Sequence, residues 1–430
     1  MSAEKRSSKT FAALEVRNFR LFFAGQMISI SGTWMQTVAQ SWLVLQLTGS
    51  SVDLGFAIAL QYVPMLLFAS YGGLVADRNN KRTILYCTQT AAGLLAFALG
   101  VLVSTHHVTL TGVYILATLL GVSNLFDNPA RQSFVQEMVG REHIANAISL
   151  NSVLMNIGRL IGPGIAAALI AFVGIAQCFY ANAFSYLGVI VALFMMNAEE
   201  FSPLKTVTRE KGQLRLGLKY AFTTPVLRGV LISVAIVGTF AYNFTVTLPL
   251  LAHDTFHQTT ASQYGILLTA MGVGAVFGGL YVARRSRPTP KLIAIVALGF
   301  GISMSIVALS PNAVFATVLL IPTGFFSIAF ISTSNATLQL NSSQEMRGRV
   351  MSLYVTGFLG TTPIGAPLIG WIISLTNPRV GILVGSLLTI STGIWLALSL
   401  RGKATAQTIL AFCGFGSFGR PKARSPMMLR

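Results

Sequence analysis

Apolar stretches of about 20 residues recur along this chain from Phe19 to Leu400, and most are separated by very short polar segments. A helix of that length crosses a hydrocarbon layer about 30 Å thick, whereas a membrane barrel would show alternating segments of about 10 residues. Hydrophobic residues make up 53% of the chain and charged residues 10%, which fits a bilayer rather than water as the solvent. We therefore predict an all-α membrane protein. Its twelve transmembrane helices are predicted near 19–47, 52–76, 83–105, 108–126, 147–173, 175–197, 226–251, 261–283, 291–310, 313–335, 349–375 and 378–400.

The net charge of +18 is strongly one-sided with respect to these spans. If the first span runs outward, 28 of the 30 Lys and Arg fall in inside segments, and the exceptions are Arg159, within a span, and Arg379, in an outside loop. Short-loop Lys and Arg bias sets membrane orientation. The pattern predicts a multi-pass protein of a bacterial inner membrane with both termini in the cytoplasm. Binding of nucleic acid is not expected, because no aromatic-interleaved basic domain is present.

Few residues carry the chemistry of a cofactor or an enzyme. Cys87, Cys178 and Cys413 are isolated, without a CxxC or a His–Cys cluster, so neither a disulfide framework nor a metal site is expected. No GxxxxGK[ST] sequence marks an ATP site, and no cofactor is expected. The five histidines fall in predicted loops and no HExxH sequence exists, which argues against an intramembrane enzyme.

The chain divides into two similar halves. The polar segment 198–225 separates an N-terminal six-helix bundle, 1–197, from a C-terminal one, 226–400, and a basic tail at 401–430 is expected to be disordered or to lie on lipid headgroups. Gly-Gly-Leu at 72–74 recurs at 278–280, with Arg78 matched by Arg284 and Asp77 replaced by Ala283. NAISLN at 146–151 and RVMSLY at 349–354 form a weaker echo at a similar offset. Internal repeats of this kind are typical of transporters and predict a pseudo-two-fold axis between the bundles.

The inside loop between spans two and three reads GLVADRNNKR at 73–82 and resembles the loop signature of the major facilitator superfamily, Gly-x-Leu-x-Asp-Arg-x-Gly-Arg-Lys. Val75 and Asn80 depart from that signature. A carboxylate at the rim can cap a helix N-terminus or pair with Arg, and so hold the two halves together on the inside. The alternative is a set of ordinary solvated loop charges. The candidate latch residues of this loop are Gly73, Asp77, Arg78, Lys81 and Arg82.

Two further sequences lie near or within the spans of the first half. Asp127, in DNPAR at the end of span four, could pair with Arg78, with Arg82 or with Arg131 one turn later, or could cap a helix before a proline. These two residues, Asp127 and Arg131, complete the candidate latch. Gly158, Gly162 and Pro163 in span five resemble the superfamily's exporter motif, although its closing glycine pair is replaced by two alanines. Small residues four apart also serve close helix packing alone.

Arg159 lies about twelve residues into span five, or about 18 Å from the inner face. An arginine at that depth costs roughly 2.5–3.5 kcal/mol on insertion scales and normally faces a cavity or a partner. No carboxylate falls inside any predicted span. Arg159 is therefore either part of an anion-binding or proton-linked site, or a structural tie that bonds to backbone carbonyls.

Polar residues of span one recur at steps of three and four, which places them on one helix face. Such a face must turn toward protein or water, as a cavity wall or as interhelical hydrogen bonding. The superfamily resemblance implies that spans one, four, seven and ten line a central cavity. The candidate cavity residues are Gln26, Ser29, Thr33, Trp34, Gln36, Gln40, Tyr114, Thr118, Tyr242, Asn243, Thr323 and Ser327, together with Arg159.

The sequences NFRLFFAGQ, WMQTVAQSWLVLQLTGS, DNPAR and EMRGRV are similar to the enterobactin-exporter-like branch of the superfamily, which includes drug exporters, over residues 15–400. The resemblance implies a monomer that exports a small amphipathic organic molecule by alternating access, with the proton as the coupling ion. ATLLG at 117–121 lacks the arginine of the exporter signature in span four, which leaves the coupling open. The alternatives are an inward carrier of a lipid or solute and, from another class, an intramembrane enzyme.

Overall fold

The computed structural model describes residues 11–201, 213–285, 289–358 and 360–412 of the chain. Over these ranges the chain forms long helices that follow one another through short loops. Within the described residues, eleven helices, α2 to α12, are long and apolar enough to cross a membrane. The helices are α1 Arg17–Thr48, α2 Ser51–Arg78, α3 Lys81–Ser104, α4 Leu110–Gly140, α5 Glu142–Phe172, α6 Ala176–Met195, α7 Pro225–Thr255, α8 Ser262–Ala283, α9 Pro290–Ala308, α10 Ala313–Leu340, α11 Gln344–Leu375 and α12 Pro378–Phe412.

Helix α1 is long enough to span a bilayer, with 32 residues, but it is too polar to count among those eleven. Several of its amide and hydroxyl side chains are buried, among them Gln26, Ser29 and Gln36, while Thr33 and Gln46 are exposed. The helix packs along α6 and against the pair α4 and α5. Because protein rather than lipid covers the polar face of α1, the helix joins the other eleven in a twelve-helix bundle.

The helices form two halves that meet along two matching seams. Within the first half α6 packs on α1 and α3, and within the second half α12 packs on α9 and α7. The halves contact each other through α2 with α11 and through α5 with α8. In both seams the second helix of one half meets the fifth helix of the other. This pairing is the pseudo-two-fold arrangement that the internal repeats predict.

The bundle is closed at one end and separated at the other. At the end where α2 and α8 begin, here called the closed end, the Ser51 hydroxyl donates to the Gly370 carbonyl over 2.8 Å. Trp42 of α1 meets the ring of His253 of α7 edge-on at 5.7 Å there. Toward the opposite end, here called the open end, α2 is exposed at six consecutive positions, 66–71. Six consecutive exposed residues cover every face of a helix, so α2 has lost its neighbour in the other half at this depth.

The predicted loop between spans four and five is absent, because α4 runs on to Gly140 and α5 begins at Glu142. Gly140 has φ 64° and ψ 175°, a conformation that costs glycine little and breaks the helix in a single residue. The boundary at 126 was wrong because it followed hydropathy alone. Buried apolar residues continue at helical spacing beyond it, at Ala130, Phe134 and Met138, so the helix is amphipathic there.

Two spans are interrupted, and the predicted tail begins as a helix. The α7 span breaks after Phe240 and resumes at Phe244, and α11 breaks after Phe358 and resumes at Thr362. Helix α12 continues to Phe412, so residues 401–412 of the tail expected to be disordered are helical. Residues 413–430 lie outside the described residues. In the linker 198–225, residues 202–212 also lie outside them, and the helix Gln213–Thr223 follows.

Candidate functional site

A polar cleft lies between α1, α2, α4 and α6 of the first half, with Thr245 of α7 at its edge, on the closed-end side of the bundle. Its wall is made of amides, hydroxyls and aliphatic side chains. None of the side chains that line it carries a formal charge. Three of its residues, Thr33, Gln36 and Gln40, belong to the polar stripe predicted on α1. The other polar lining residues are Thr37, Ser41, Gln61, Tyr62, Asn182, Tyr186 and Thr245.

The polar stripe of α1 is divided between two roles. Toward the closed end, Gln36 accepts a hydrogen bond from the Asn182 amide of α6 and is held against the cleft wall. Toward the open end, the Gln26 carbonyl oxygen accepts from Arg131 of α4 over 3.1 Å. Gln26 and Ser29 are not among the residues that line the cleft. The closed-end half of the stripe therefore lines the cleft, whereas Gln26 takes part in interhelical hydrogen bonding. A role of the cleft as a substrate cavity stays a prediction.

Arg159 lies beside this cleft rather than in open solvent. Its guanidinium carbon is 5.0 Å from the centroid of the Trp34 ring, within the range of a cation–π contact. The guanidinium also interacts electrostatically with the hydroxyls of Tyr62 and Tyr242. Its Nε is buried without a hydrogen-bond partner. Among the residues whose side chains the structure describes, no carboxylate forms an ion pair with Arg159.

The two small residues beside Arg159 bring α5 against α1. A Cβ on Gly158 would lie 2.3 Å from Ile30, and one on Gly162 would lie 2.5 Å from the Ser31 carbonyl oxygen. Both distances are too short for real atoms, so only glycine allows this approach. The same turn of α5 also faces the other half, where the Pro163 carbonyl lies against Gly265 of α8. Gly158, Gly162 and Pro163 thus lie where α5 packs on helices of both halves.

The second half contributes an aromatic wall next to Arg159. The ring of Tyr242 packs on Phe244, Phe300 and Phe358 at centroid distances of 5.9, 5.4 and 4.9 Å. Its hydroxyl donates to the Ser327 carbonyl, which fixes the ring at the break of α7.

Not every residue of the predicted cavity faces the cleft. Asn243 and Thr323 are buried, and their side chains donate to carbonyls of their own helices. The Ser327 side chain is likewise fully buried. Tyr114 and Thr118 line a separate shallow depression of α4, where Ile115 and Leu119 are exposed. Family position alone indicated these residues, and it did not specify which face of each helix turns toward the cleft.

The charged residues at the open end mostly tie helices of the first half to one another. Lys81 of α3 forms a 3.1 Å ion pair with Glu137 of α4. Arg82 donates from Nε to the Leu193 carbonyl over 3.0 Å, at the end of α6. Gly73 and Asp77 are partly buried near the end of α2, and Arg78 is exposed. A latch between the halves remains a prediction for the state in which the open end closes.

Asp127 is buried within α4, which corrects the expectation that no carboxylate lies inside a span. Of the three arginines considered as ion-pair partners of Asp127, the structure pairs it with Arg131. Its Oδ1 also accepts from Thr88 over 2.9 Å and from Gln89 over 2.7 Å. The extension of α4 past 126 places this carboxylate among helices rather than in a loop.

Sequence reasoning missed several polar cleft residues, among them Tyr62, Asn182 and Tyr186. The two on α6 stand one turn apart, with Ser185 beside them, in an otherwise apolar span. Such a cluster was a readable signal, because a lipid-facing helix has no partner for an asparagine.

Two six-helix halves related by a pseudo-two-fold axis, which meet at one end of the bundle beside a polar cleft of the first half, define a membrane transporter of the alternating-access type. The sequence model of the family described as "Transmembrane secretion effector" matches residues 8–410. The chain belongs to this family of the major facilitator superfamily, and it is a transporter rather than an enzyme.

Several curated proteins are similar to the chain over most of both lengths. The multidrug efflux pump Tap of Mycolicibacterium fortuitum is 26% identical, over 79% of this chain and 85% of Tap. The staphyloferrin A transporter of Staphylococcus aureus is 25% identical, over 81% and 87%. The enterobactin exporter EntS of Shigella flexneri is 24% identical, over 84% and 86%.

Solved structures agree on the fold. A POT family transporter superimposes with a TM-score of 0.72 at 11% identity, covering 92% of this chain and 99% of the other. A bacterial homologue of the lysosomal transporter Spinster gives 0.68 at 13% identity, covering 91% and 96%. The predicted fold class, two six-helix bundles of the major facilitator type, is confirmed.

Proposed function

We propose that this protein exports a small amphipathic organic molecule, drug-like or siderophore-like, by alternating access and in exchange for protons. The observation that carries the proposal is the uncharged polar cleft of the first half, which Thr245 of the second half borders and which is sealed at the closed end. An amphipathic molecule suits a wall that alternates amides with aliphatic and aromatic side chains. Both halves of the site belong to one chain, so we propose that a monomer performs the cycle.

The orientation of the bundle supports export. The open end carries the basic loops, among them Arg78, Lys81 and Arg82, and Lys and Arg in short loops remain on the cytoplasmic side. The cleft would then face the cytoplasm, from which an exported substrate is taken. Tags at both termini and in 198–225 should therefore be cytoplasmic, and a tag in 252–260 should be periplasmic. A periplasmic N-terminus would contradict both the orientation and the direction.

The named functions of the relatives, drug efflux and siderophore transport or export, support the same direction. For proton coupling, the structure offers a buried carboxylate at Asp127 near the open end, although its pairing with Arg131 gives it a structural role as well. The rival proposal is an inward carrier of a lipid or solute.

Transport in everted membrane vesicles distinguishes these proposals. The vesicles expose the cytoplasmic face, and a panel of drugs and catechol siderophores is offered with respiration supplying the proton gradient. Export predicts accumulation inside everted vesicles, and proton coupling predicts that a protonophore abolishes it. Accumulation that survives the protonophore would contradict the coupling. Uptake by right-side-out vesicles alone would contradict export.

A further inference from the structure

We infer that the transported molecule is an organic anion with an aromatic or broad apolar body, and that Arg159 binds its charged group. The inference rests on the proposed transport function and specifies its substrate class. It starts from a charge without a counter-charge. Arg159 lies within α5 beside a cleft whose lining contains no acid, and its Nε is buried without a partner. A guanidinium in such surroundings attracts an anion more strongly than the same group in water does.

The position of Arg159 is fixed by packing rather than by ionic partners. Gly158 and Gly162 bring its turn of α5 onto α1, and the guanidinium rests on the ring of Trp34. On the other side a Cβ at Gly272 of α8 would lie 3.1 Å from the Arg159 carbonyl oxygen. The backbone of Arg159 therefore lies where the two halves touch, and its guanidinium lies over Trp34 of the first half. A ligand bound to the guanidinium would lie next to the contact between the halves.

The groups around the charge determine the rest of the ligand. The guanidinium lies over the ring of Trp34, and Tyr62 and Tyr242 are near enough to influence its charge. The Tyr242 hydroxyl already donates its proton to the Ser327 carbonyl, so Tyr242 offers its ring for packing rather than a hydrogen bond to the anionic group. Amide donors of Gln40 and Gln61 line the neighbouring cleft. An aromatic carboxylate or catecholate matches this combination, whereas a cation meets like charge and no acid that would compensate it.

A matched pair of dyes tests the charge preference. Fluorescein is an anion and rhodamine 6G is a cation on the same xanthene core. Binding is measured by fluorescence polarisation with the purified transporter in nanodiscs, and transport is measured in everted vesicles. We expect the wild type to bind fluorescein at least about tenfold more tightly than rhodamine 6G, since a charge-assisted contact contributes that much.

Variants assign the preference to the guanidinium. Arg159→Gln should weaken fluorescein binding about tenfold or more and leave rhodamine binding equal or improved. Arg159→Lys keeps the charge and should retain part of the preference, while Trp34→Leu should cause a smaller loss. The matched control is Arg379→Gln, because Arg379 carries the same charge and donates to the Ser310 carbonyl over 3.0 Å, but is not among the residues that line the cleft. Melting temperatures in detergent identify any variant that is merely unstable.

Each outcome decides the inference. Selective loss of fluorescein in Arg159→Gln, with a normal melting temperature, supports it. No binding of fluorescein by the wild type, or equal loss of both dyes in Arg159→Gln with rescue by Arg159→Lys, overturns it and leaves Arg159 as a structural tie. If rhodamine is transported and fluorescein is not bound, export survives and the anion inference fails. If vesicles transport neither dye, the binding measurement still decides the inference separately from the transport function.

Discussion

The closed end is held by two hydrogen bonds that are symmetric counterparts. Ser51, the first residue of α2, donates to the Gly370 carbonyl of α11, and Ser262, the first residue of α8, donates to the Ala167 carbonyl of α5 over 3.1 Å. The serines are 211 positions apart and their acceptors 203, close to the repeat offset of the halves. All four residues are at least partly buried. Both bonds must break when the closed end opens, so we predict that they stabilise the state seen here.

The size of the effect follows from the type of bond. A neutral interhelical hydrogen bond contributes about 0.5 to 1 kcal/mol. Removing both hydroxyls should therefore cost about 1–2 kcal/mol, a shift of roughly five- to thirtyfold in the population that is open at this end. Because the two seams lie on opposite sides of the pseudo-two-fold axis, the effects of Ser51→Ala and Ser262→Ala should add.

The assay measures access to the cleft from the outside. Thr37 of α1 lines the cleft below the seal, and Thr37→Cys is introduced into a chain whose native cysteines have been replaced. A membrane-impermeant maleimide is then added to whole cells, where only molecules open to the outside react. Ser51→Ala and Ser262→Ala together should raise the labelling rate roughly five- to thirtyfold. Ser374→Ala is the control, since the Ser374 hydroxyl bonds only within α11, to the Trp371 carbonyl.

A labelling rate in the double variant within twofold of the control would refute the role of the two serines. Rapid labelling of the parent chain would refute the seal itself, because Thr37 would then already be accessible.

Three other changes have defined outcomes. Asp77→Asn should abolish vesicle transport without reducing membrane insertion, because the state that is closed at the basic end loses its latch. Ala283→Asp, at the equivalent site of the second half, should have little effect. Full transport activity of Asp77→Asn would contradict the latch. Gly162→Ala should destabilise the protein by about 1–3 kcal/mol by overpacking α5 on α1, seen as a lower melting temperature, and Gly348→Ala, with open space around it, should not. Asp127→Asn should lower the melting temperature more than either glycine change, since the partly buried guanidinium of Arg131 loses its ion-pair partner. An unchanged melting temperature would mean that the Asp127–Arg131 pair is exposed to solvent.

Hydropathy predicted the helices well, because lipid imposes length and polarity on every span. The same reasoning failed where protein replaces lipid as the neighbour. Helix α4 outlasts its apolar run because Phe134 and Met138 pack in a buried cluster beyond residue 126. The stripe of α1 was correctly placed on one face, but its division between the cleft and the Gln26–Arg131 contact depends on where α4 passes. That is a tertiary property which the spacing of polar residues does not encode.

The two ends of the bundle differ chemically, and the difference yields a prediction that neither end gives alone. The seal at the closed end uses two neutral hydrogen bonds, one donated by each half. At the basic end, the position of the second half that is equivalent to Asp77 is the uncharged Ala283. A carrier cycles efficiently when its two end states differ by a few kcal/mol at most. Asp77→Asn should weaken the state that is closed at the basic end, and loss of the serine hydroxyls should weaken the opposite state. Because these changes bias one equilibrium in opposite directions, Ser51→Ala with Ser262→Ala should restore part of the vesicle transport lost in Asp77→Asn. Transport no better in the triple variant than in Asp77→Asn would mean that Asp77 acts on a step other than this equilibrium.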